Sequence, residues 1–479
     1  MWDWLNKTME SSRNCFKKEA SYKWFVVLVI GYMIGQEHKG ITSIVRELCL
    51  NPRHYDTMVH VFRSKAWNME LLGKWWIETA MKSGLLFREG DMPILVGDGV
   101  KQGKEGKKIP CVKRLYQESE NSAKPTYLFG HMYGAIGVLV GNLGKLLCIP
   151  LSIRIHDGDA QIKEWVGSDA AESHVVRIIR EASQVAVRLG KSILLLDRYY
   201  LSVPALTTWL EEELKAGHPH LSVVTRAKGN PSAYENPVQH PGPGRPRKKG
   251  TKVKVGGLFE TCKDSFTQAK VTLYGKEETL SYLCRDLLWG TKLYQKLRFV
   301  LVVCGDTRSI FVSTDLTLSP VQIIRLYGYR FKIECCFREL KQVIAGFSYH
   351  FWSLYMPKLN RYAKSGTDPL RSVTVTNHKT RILLAYLAME RFVMIASVAL
   401  GLLQICSLRF SLEINASPLR WLRTRSNPIP SEATTSDFIR KTIFLSVESH
   451  PVFPILRFIR ERQSSSPSVS LLPDEHLAA

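Results

Sequence analysis

Two short apolar segments that each end in an aspartate constrain the fold more than any other feature of the sequence. Residues 93–97 lead into Asp98, and residues 192–196 lead into Asp197. Short apolar runs of this kind are typical of strands buried in an α/β sheet. Because the active sites of such sheets lie beyond the carboxyl ends of the strands, two neighbouring strands would bring both carboxylates into one crevice. We therefore expect each aspartate at the end of its strand.

The segments around these runs alternate between strand and helix patterns. Residues 127–140 and 145–155 have the pattern of two further strands, and residues 175–189 carry their apolar side chains on one helical face. Two later apolar runs, 299–303 and 309–313, continue the sheet. This order predicts an α/β fold with a mixed sheet flanked by helices.

The charge of the chain indicates a polyanionic partner. Its 66 Lys and Arg residues against 43 Asp and Glu residues give a net charge of +23. Basic surfaces bind phosphates with release of counterions, and an anionic membrane is the other class of partner. The two apolar runs, 24–35 and 392–403, are each 12 residues long, whereas a membrane-spanning helix needs roughly 20 residues. We therefore expect two buried core helices, no membrane association, and nucleic acid as the partner.

The start of the chain and its cysteines indicate a cytoplasmic protein. The first ten residues lack the basic and apolar pattern of a secretory signal. The ten cysteines include no CxxC pair, and none has metal-ligand spacing with a histidine. Reduced thiols are the expectation for such a chain.

A chain of 479 residues exceeds one compact core, so we expect several regions. Residues 226–298 hold 15 Lys and Arg against 6 Asp and Glu and contain short β-like runs, which predicts a basic insertion. The N-terminal helices are either a DNA-binding module or a packing subdomain. The predicted regions are a helical N-terminal region (1–90), the sheet domain in two parts (91–229 and 299–362), the β-rich insertion (230–298), and a helical C-terminal region with a disordered tail (363–479).

The segment that follows Ser319 and Pro320 predicts one long helix with a polar stripe beside an apolar face. At ~100° per residue, the stripe is about 60° wide. The stripe contains Tyr327, Arg330, Glu334 and Lys341. The adjoining apolar face contains Leu326, Ile333, Phe337, Leu340 and Ile344. Glu339 points away from the stripe and is not a candidate for the site.

The stripe has two interpretations. In the first, the helix is only amphipathic, and its Arg330–Glu334 and Glu334–Arg338 ion pairs contribute about 0.2–0.5 kcal/mol each. In the second, Glu334 joins Asp98 and Asp197 as the third carboxylate of an active site. We favour the second interpretation, because two strand-end aspartates and a strongly basic chain accompany the stripe.

Three carboxylates without an obvious His, Cys or Ser nucleophile indicate hard-metal chemistry. Oxygen ligands suit Mg²⁺, for which Mn²⁺ can substitute. Two such ions would activate a water or a 3′-hydroxyl and stabilise the leaving oxygen of a phosphodiester. Arg330 and Lys341 would then hold phosphates, while Tyr327 would donate a hydrogen bond to the DNA backbone or stack.

These residues resemble a known family. Tyr327, Arg330, Glu334 and Lys341 match the Y-(2)-R-(3)-E-(6)-K signature of a branch of the DDE transposases of bacterial insertion sequences. The order of the three acids is similar as well, with the second acid in an LLLDRYYLS segment and a β-rich interruption before the third. The resemblance covers about residues 91–345.

The resemblance implies an RNase H-like sheet and a cut-and-paste transposase. Such an enzyme binds double-stranded DNA at the terminal inverted repeats of its element, cleaves it with Mg²⁺, and joins the 3′-OH ends to target DNA. The implied catalytic and metal-binding residues are Asp98, Asp197 and Glu334. A homodimer in a synaptic complex, associated with the nucleoid in the bacterial cytoplasm, is also implied.

Two further DNA contacts have alternatives. The GRPRKK segment with Arg245 and Arg247 is similar to an AT-hook that lies in an A·T minor groove, and a solvated basic loop is the other interpretation. The resemblance places Trp289 where related enzymes hold a flipped base. A core tryptophan beside Leu287 and Leu288 is the other interpretation.

Two other functions remain open at this stage. A decayed transposase would bind its old DNA ends without cutting them, and an RNase H-like nuclease would cut DNA without joining it. The intact set of acids argues against the first, and only an assay for strand transfer separates the second.

Overall fold

The structure is a computed structural model, and it describes residues 1–35, 40–117, 125–167, 172–238, 246–273, 275–360, 368–417, 428–449 and 452–464. Within these ranges the helices are α1 (Trp2–Ser11), α2 (Glu19–Ile34), α3 (Ile41–Glu47), α4 (His54–Arg63), α5 (Met69–Lys82), α6 (Ala160–Trp165), α7 (His174–Leu189), α8 (Val203–Ala216), α9 (Leu258–Thr261), α10 (Pro320–Gly328), α11 (Lys332–Gln342), α12 (Thr376–Arg409), α13 (Ser411–Ala416), α14 (Glu432–Ser449) and α15 (Pro454–Arg460). The strands are β1 (Arg88–Glu89), β2 (Met92–Gly103), β3 (Lys113–Tyr116), β4 (Tyr127–Asn142), β5 (Lys145–Ile155), β6 (Ser192–Leu195), β7 (Leu221–Arg226), β8 (Ser232–Tyr234), β9 (Lys252–Lys254), β10 (Thr267–Leu273), β11 (Lys276–Trp289), β12 (Gln295–Cys304) and β13 (Thr307–Ser313).

The thirteen described strands form one mixed sheet. Its main path runs β3-β4-β2-β6-β7-β13-β12-β11-β8-β9, while β5 pairs with β4, β1 with β2 and β10 with β11. Strand β6 lies parallel to both β2 and β7, and the other pairs are antiparallel. Helix α8 connects the parallel strands β6 and β7, as such a crossover requires. The prediction of an α/β fold with a mixed sheet flanked by helices is confirmed.

Strand β2 continues past the position where the sequence pattern ends it. Its parallel pairing with β6 stops at Val96 and Leu195, but its antiparallel pairing with β4 continues to Gly103. The expectation that Asp98 ends its strand was therefore wrong, because β4 supplies a partner on the other edge. Asp98 lies instead where the parallel pairing has ended, and Asp197 directly follows β6.

The two apolar runs lie in buried helices, as predicted. Helix α2 is buried on every face from Trp24 to Ile34, and it contacts α12, α14 and α15. Helix α12 has 34 residues, and it is the one helix in the described ranges long and apolar enough to cross a membrane. Since 94% of its apolar window is buried inside the protein, it has the surroundings of a core helix in a soluble protein.

The basic insertion extends the same sheet instead of standing apart from it. Strand β11 pairs with β12 from Trp289 to Ser281, and β12 pairs onward with β13. The predicted boundary at residue 298 falls inside β12 (Gln295–Cys304). This part of the protein has a smaller core of its own, which includes Phe259, Leu283, Leu297 and Phe299.

The long helix predicted after Ser319 begins as expected but is interrupted. Ser319 caps α10 and forms a capping box with Gln322. Between α10 and α11, however, the backbone tightens into a 3-10 turn over Tyr329–Phe331. The predicted apolar face of this segment is buried at every position. The predicted disordered tail lies outside the described residues from 465 onward.

Candidate active site

Asp98 and Asp197 occupy neighbouring positions on β2 and on the segment after β6. The pairing of Ile94 with Ile193 and of Val96 with Leu195 has one constant offset, and that offset continued by two residues matches Asp98 with Asp197. Burial raises the pKa of Asp98 to about 6 against the opposing charge of Arg330, and the charges of Asp197 and Glu334 add to the rise. Asp197 and Glu334 therefore both lie close enough to Asp98 to influence its ionisation.

Arg330 links the first acid to the third. Its Nη1 lies 3.0 Å from Oδ2 of Asp98, and its Nη2 lies 2.7 Å from Oε1 of Glu334. The Glu334 side chain remains 43% exposed, so the site is open to solvent on this side. The Arg330–Glu334 pair, which the purely amphipathic interpretation of the helix predicts, is present.

The second predicted ion pair on this helix was wrong. Arg338 donates to Glu339 at 2.7 Å instead of to Glu334. The reason is that Glu334 is engaged by Arg330, while Glu339 faces away from the acids, as predicted. Burial and the nearby Glu432 raise the pKa of Glu339. Glu339 is therefore a neighbour of Glu334 on the same helix that lies outside the site.

The other two residues of the polar stripe flank the acids. The Tyr327 ring packs on Phe311 with 4.7 Å between centroids. Lys341 donates from Nζ to the carbonyl oxygen of Lys101 at 3.4 Å, and Lys101 lies three residues beyond Asp98 on β2. The stripe therefore extends from β13, which Tyr327 contacts, to the part of β2 beyond the first acid, which Lys341 contacts.

The acids fit a hard cation by chemistry but are not arranged as a ready metal site. All three offer carboxylate oxygens, which suit Mg²⁺. Among the described residues, however, no group of three or more His, Cys, Asp or Glu side chains stands at metal-binding distances. Arg330 provides the positive charge between Asp98 and Glu334 in this conformation.

The remaining predicted DNA contacts lie in the insertion. Arg245 lies outside the described residues, and Arg247 is exposed. Trp289 is the last residue of β11, is part-buried, and packs against the smaller core.

The insertion also carries an exposed basic surface, which we call the insertion patch. It consists of Lys248, Lys249, Lys252 and Lys254. The Lys249 ammonium lies 4.4 Å from the ring centroid of Tyr234 and 5.2 Å from that of Tyr294. The ion pairs found among the described residues include none to the four lysines of the patch. Such uncompensated charge is suited to a polyanion.

Sequence reasoning missed one polar cluster beside the acids. Tyr200, His174, His156 and Glu181 form a hydrogen-bonded chain on the α7 side of the sheet. Consecutive members are 18 to 26 residues apart in sequence. No spacing rule connects residues so far apart.

No family model, curated protein or solved structure matches this chain. The function of the site must therefore be argued from its own residues.

Proposed function

We propose that this protein is a DDE-type transposase of a bacterial insertion sequence, with an RNase H-like catalytic sheet. The proposal rests on the closeness of Asp197 and Glu334 to Asp98, at the point where β2 and β6 have ceased to pair. A net charge of +23 and the adjoining Arg330 and Lys341 support DNA as the substrate.

The topology supports the fold assignment. Strands β5, β4 and β2 form an antiparallel series, and β6 and β7 then continue it in parallel. In such a sheet, two acids from adjacent strands and one from a covering helix can share one site. The proposal further implies a homodimer in the bacterial cytoplasm, because synapsis of two transposon ends requires two active sites.

The proposed reaction has two steps. Two Mg²⁺ or Mn²⁺ ions held by the three carboxylates would activate the nucleophile and stabilise the leaving oxygen. In the first step, water adds to phosphorus, its proton passes to solvent, and the bond to the 3′ oxygen breaks to leave a 3′-hydroxyl and a 5′-phosphate. In the second step, that hydroxyl attacks a phosphate of target DNA and displaces the target's own 3′ oxygen. Arg330 and Lys341 would bind the non-reacting phosphate oxygens.

A catalytically silent DNA-binding protein is the second candidate, and one observation favours it. Arg330 already neutralises Asp98 and Glu334, so a cation must draw these carboxylates away from the guanidinium or share them with it. A chain that binds DNA but cannot make this exchange would bind transposon ends without cutting them.

Glu334→Gln and Glu339→Gln form a matched pair that tests the proposal. Both acids lie on α11, but only Glu334 belongs to the site. A supercoiled plasmid with the DNA that flanks this gene is incubated with each protein in Mg²⁺ or in EDTA, and the cut ends are mapped to the nucleotide. We expect metal-dependent cuts at the ends of the element by the wild type and by Glu339→Gln. Glu334→Gln should bind the same DNA with unchanged affinity and make no cuts.

Three outcomes decide between the candidates. Binding without cuts by the wild type identifies the silent protein. Cuts that are never followed by joining to a target plasmid identify a nuclease. Cuts of equal rate by wild type and Glu334→Gln would remove the third acid from the site.

A further inference from the structure

A hydrogen-bonded chain of four buried or part-buried side chains begins at Tyr200, three residues after Asp197. Tyr200 Oη is 2.8 Å from His174 Nε2, His174 Nδ1 is 2.9 Å from His156 Nδ1, and His156 Nε2 is 2.7 Å from a Glu181 oxygen. Tyr200 and His156 are each only 3% exposed. Buried polar groups of this kind are destabilising unless they satisfy one another, as these do.

The charged end of this chain fixes its first hydrogen bond. Burial alone would raise the pKa of Glu181, but the adjoining His156 and two arginines hold it below its usual value. As a carboxylate, Glu181 only accepts, so His156 donates from Nε2. Burial lowers the pKa of His174 to about 3, so this ring is neutral and has one donor and one acceptor nitrogen for His156 and Tyr200.

Two paired glycines make room for the two imidazoles. Gly99 on β2 and Gly134 on β4 lie opposite each other in the sheet. A side-chain carbon at Gly99 would lie 2.8 Å from His174 Nε2, and one at Gly134 would lie 2.1 Å from His156 Cε1. A side chain at either position would therefore overlap an imidazole, and one at Gly99 would also lie 2.3 Å from Met132 Cε. Gly99 directly follows Asp98.

The backbone pairing that aligns β2 with β6 does not extend as far as the two aspartates. The pairing of β2 with β6 ends at Val96 and Leu195, two residues before the acids. On one side, Thr225 of β7 donates from Oγ1 to the Asp197 carbonyl at 2.9 Å. On the other side, the 3-10 turn after Asp197 ends at Tyr200, whose hydroxyl is bonded to His174. Because the two carboxylates repel each other when both are charged, the distance between them depends on hydrogen bonds such as these.

We propose that Tyr200 is a positioning residue: its bond to His174 anchors the turn after Asp197 against β2 and so fixes the spacing of Asp98 and Asp197 for cation binding. This inference rests on the metal-dependent function proposed above. Residues that orient metal ligands without touching the metal typically change metal affinity by about 10–100-fold when they are replaced.

Tyr200→Phe tests the inference, with Tyr133→Phe as its matched control. Tyr133 is equally buried, and its hydroxyl lies 3.3 Å from the buried His131. Neither residue belongs to the hydrogen-bonded chain from Tyr200 to Glu181. Three quantities are measured on the full chain: Mn²⁺ affinity by calorimetry, the Mg²⁺ concentration for half-maximal plasmid cleavage, and the midpoint of thermal unfolding. We expect Tyr200→Phe to weaken Mn²⁺ binding and raise the Mg²⁺ requirement by on the order of tenfold. Tyr133→Phe should leave both unchanged, although both variants lower the unfolding midpoint.

Each failure has its own signature. If both variants lower the unfolding midpoint and neither changes Mn²⁺ affinity or the Mg²⁺ requirement, the hydrogen bond of Tyr200 contributes only to stability and the inference is wrong. If the wild type itself neither binds Mn²⁺ nor cuts DNA, the proposed function fails, and the inference fails with it.

Discussion

At the scale of single residues, Arg330 supplies the positive charge beside Asp98 and Glu334. A cation can bind these two carboxylates only if it displaces the guanidinium or shares them with it. Its planar guanidinium donates to Asp98 and Glu334 through different nitrogens, which a lysine ammonium could not reproduce in the same geometry. The same group is the proposed phosphate contact. Under the proposed function it would compete with cations in the absence of DNA and support catalysis in its presence.

Arg330→Met separates these two roles. Without the guanidinium, the carboxylates are open to a cation, so Mn²⁺ should bind more tightly than to the wild type in calorimetry. Cleavage at saturating Mg²⁺ should nevertheless fall by roughly tenfold to a hundredfold, because a charge-assisted hydrogen bond to phosphate is lost. The control is Arg338→Met on the next turn, where the arginine pairs with Glu339. Weaker Mn²⁺ binding by Arg330→Met would contradict the proposed competition.

At the scale of elements, the insertion patch is a surface whose contribution can be counted. Lys252 and Lys254 lie two residues apart on β9, and both are exposed. Each phosphate contact contributes about 0.9 to the slope of log K against log salt for duplex DNA. If the patch binds DNA, changing both lysines to glutamine should reduce that slope by about 1.8, as measured by fluorescence anisotropy with labelled duplex.

Lys215→Gln is the control for this measurement, because Lys215 lies on α8 and its Nζ is 2.7 Å from Glu212. It should leave the slope unchanged. A slope that is the same for all three proteins would place the DNA on another surface.

The helices and strands around the site were predictable from the sequence only in part. The apolar face from Leu326 to Ile344 followed from helical periodicity, which reports burial directly. The interruption at Tyr329–Phe331 did not, since apolar periodicity indicates which face is buried and not where the backbone tightens into a 3-10 turn. Asp98 and Asp197 stood out because each ends an apolar run. Tyr200 and His174 could not be connected to them, because only the folded sheet brings these four residues together.

At the scale of the whole molecule, a buried histidine makes stability depend on pH. His131 is fully buried, and burial lowers its pKa to about 3 from the ordinary histidine value of 6.5. The unfolded chain therefore binds a proton below pH 6.5 that the folded protein excludes, so stability is lost as the pH falls from about 6.5 towards 3.

His131→Gln should remove the part of this loss of stability at low pH that comes from the buried imidazole. Urea unfolding between pH 7.5 and 5 should show a pH dependence of the unfolding free energy that is shallower by up to about 1.4 kcal/mol per pH unit than in the wild type. His218→Gln, at an exposed position, should keep the wild-type dependence. Equal slopes for all three proteins would show that His131 is protonated in the folded state.

The burial of α2 on every face has a consequence for the time course of synthesis. Besides the neighbouring α3 and α4, it contacts α12, α14 and α15, all of which lie in the last quarter of the chain. At about 5–20 residues per second, roughly 20 to 85 s pass between the completion of Ile34 and the appearance of α15. Throughout that interval the apolar segment from Trp24 to Ile34 lacks part of the surface that buries it in the folded protein. We therefore expect the nascent chain to depend on a chaperone until its final segment is released.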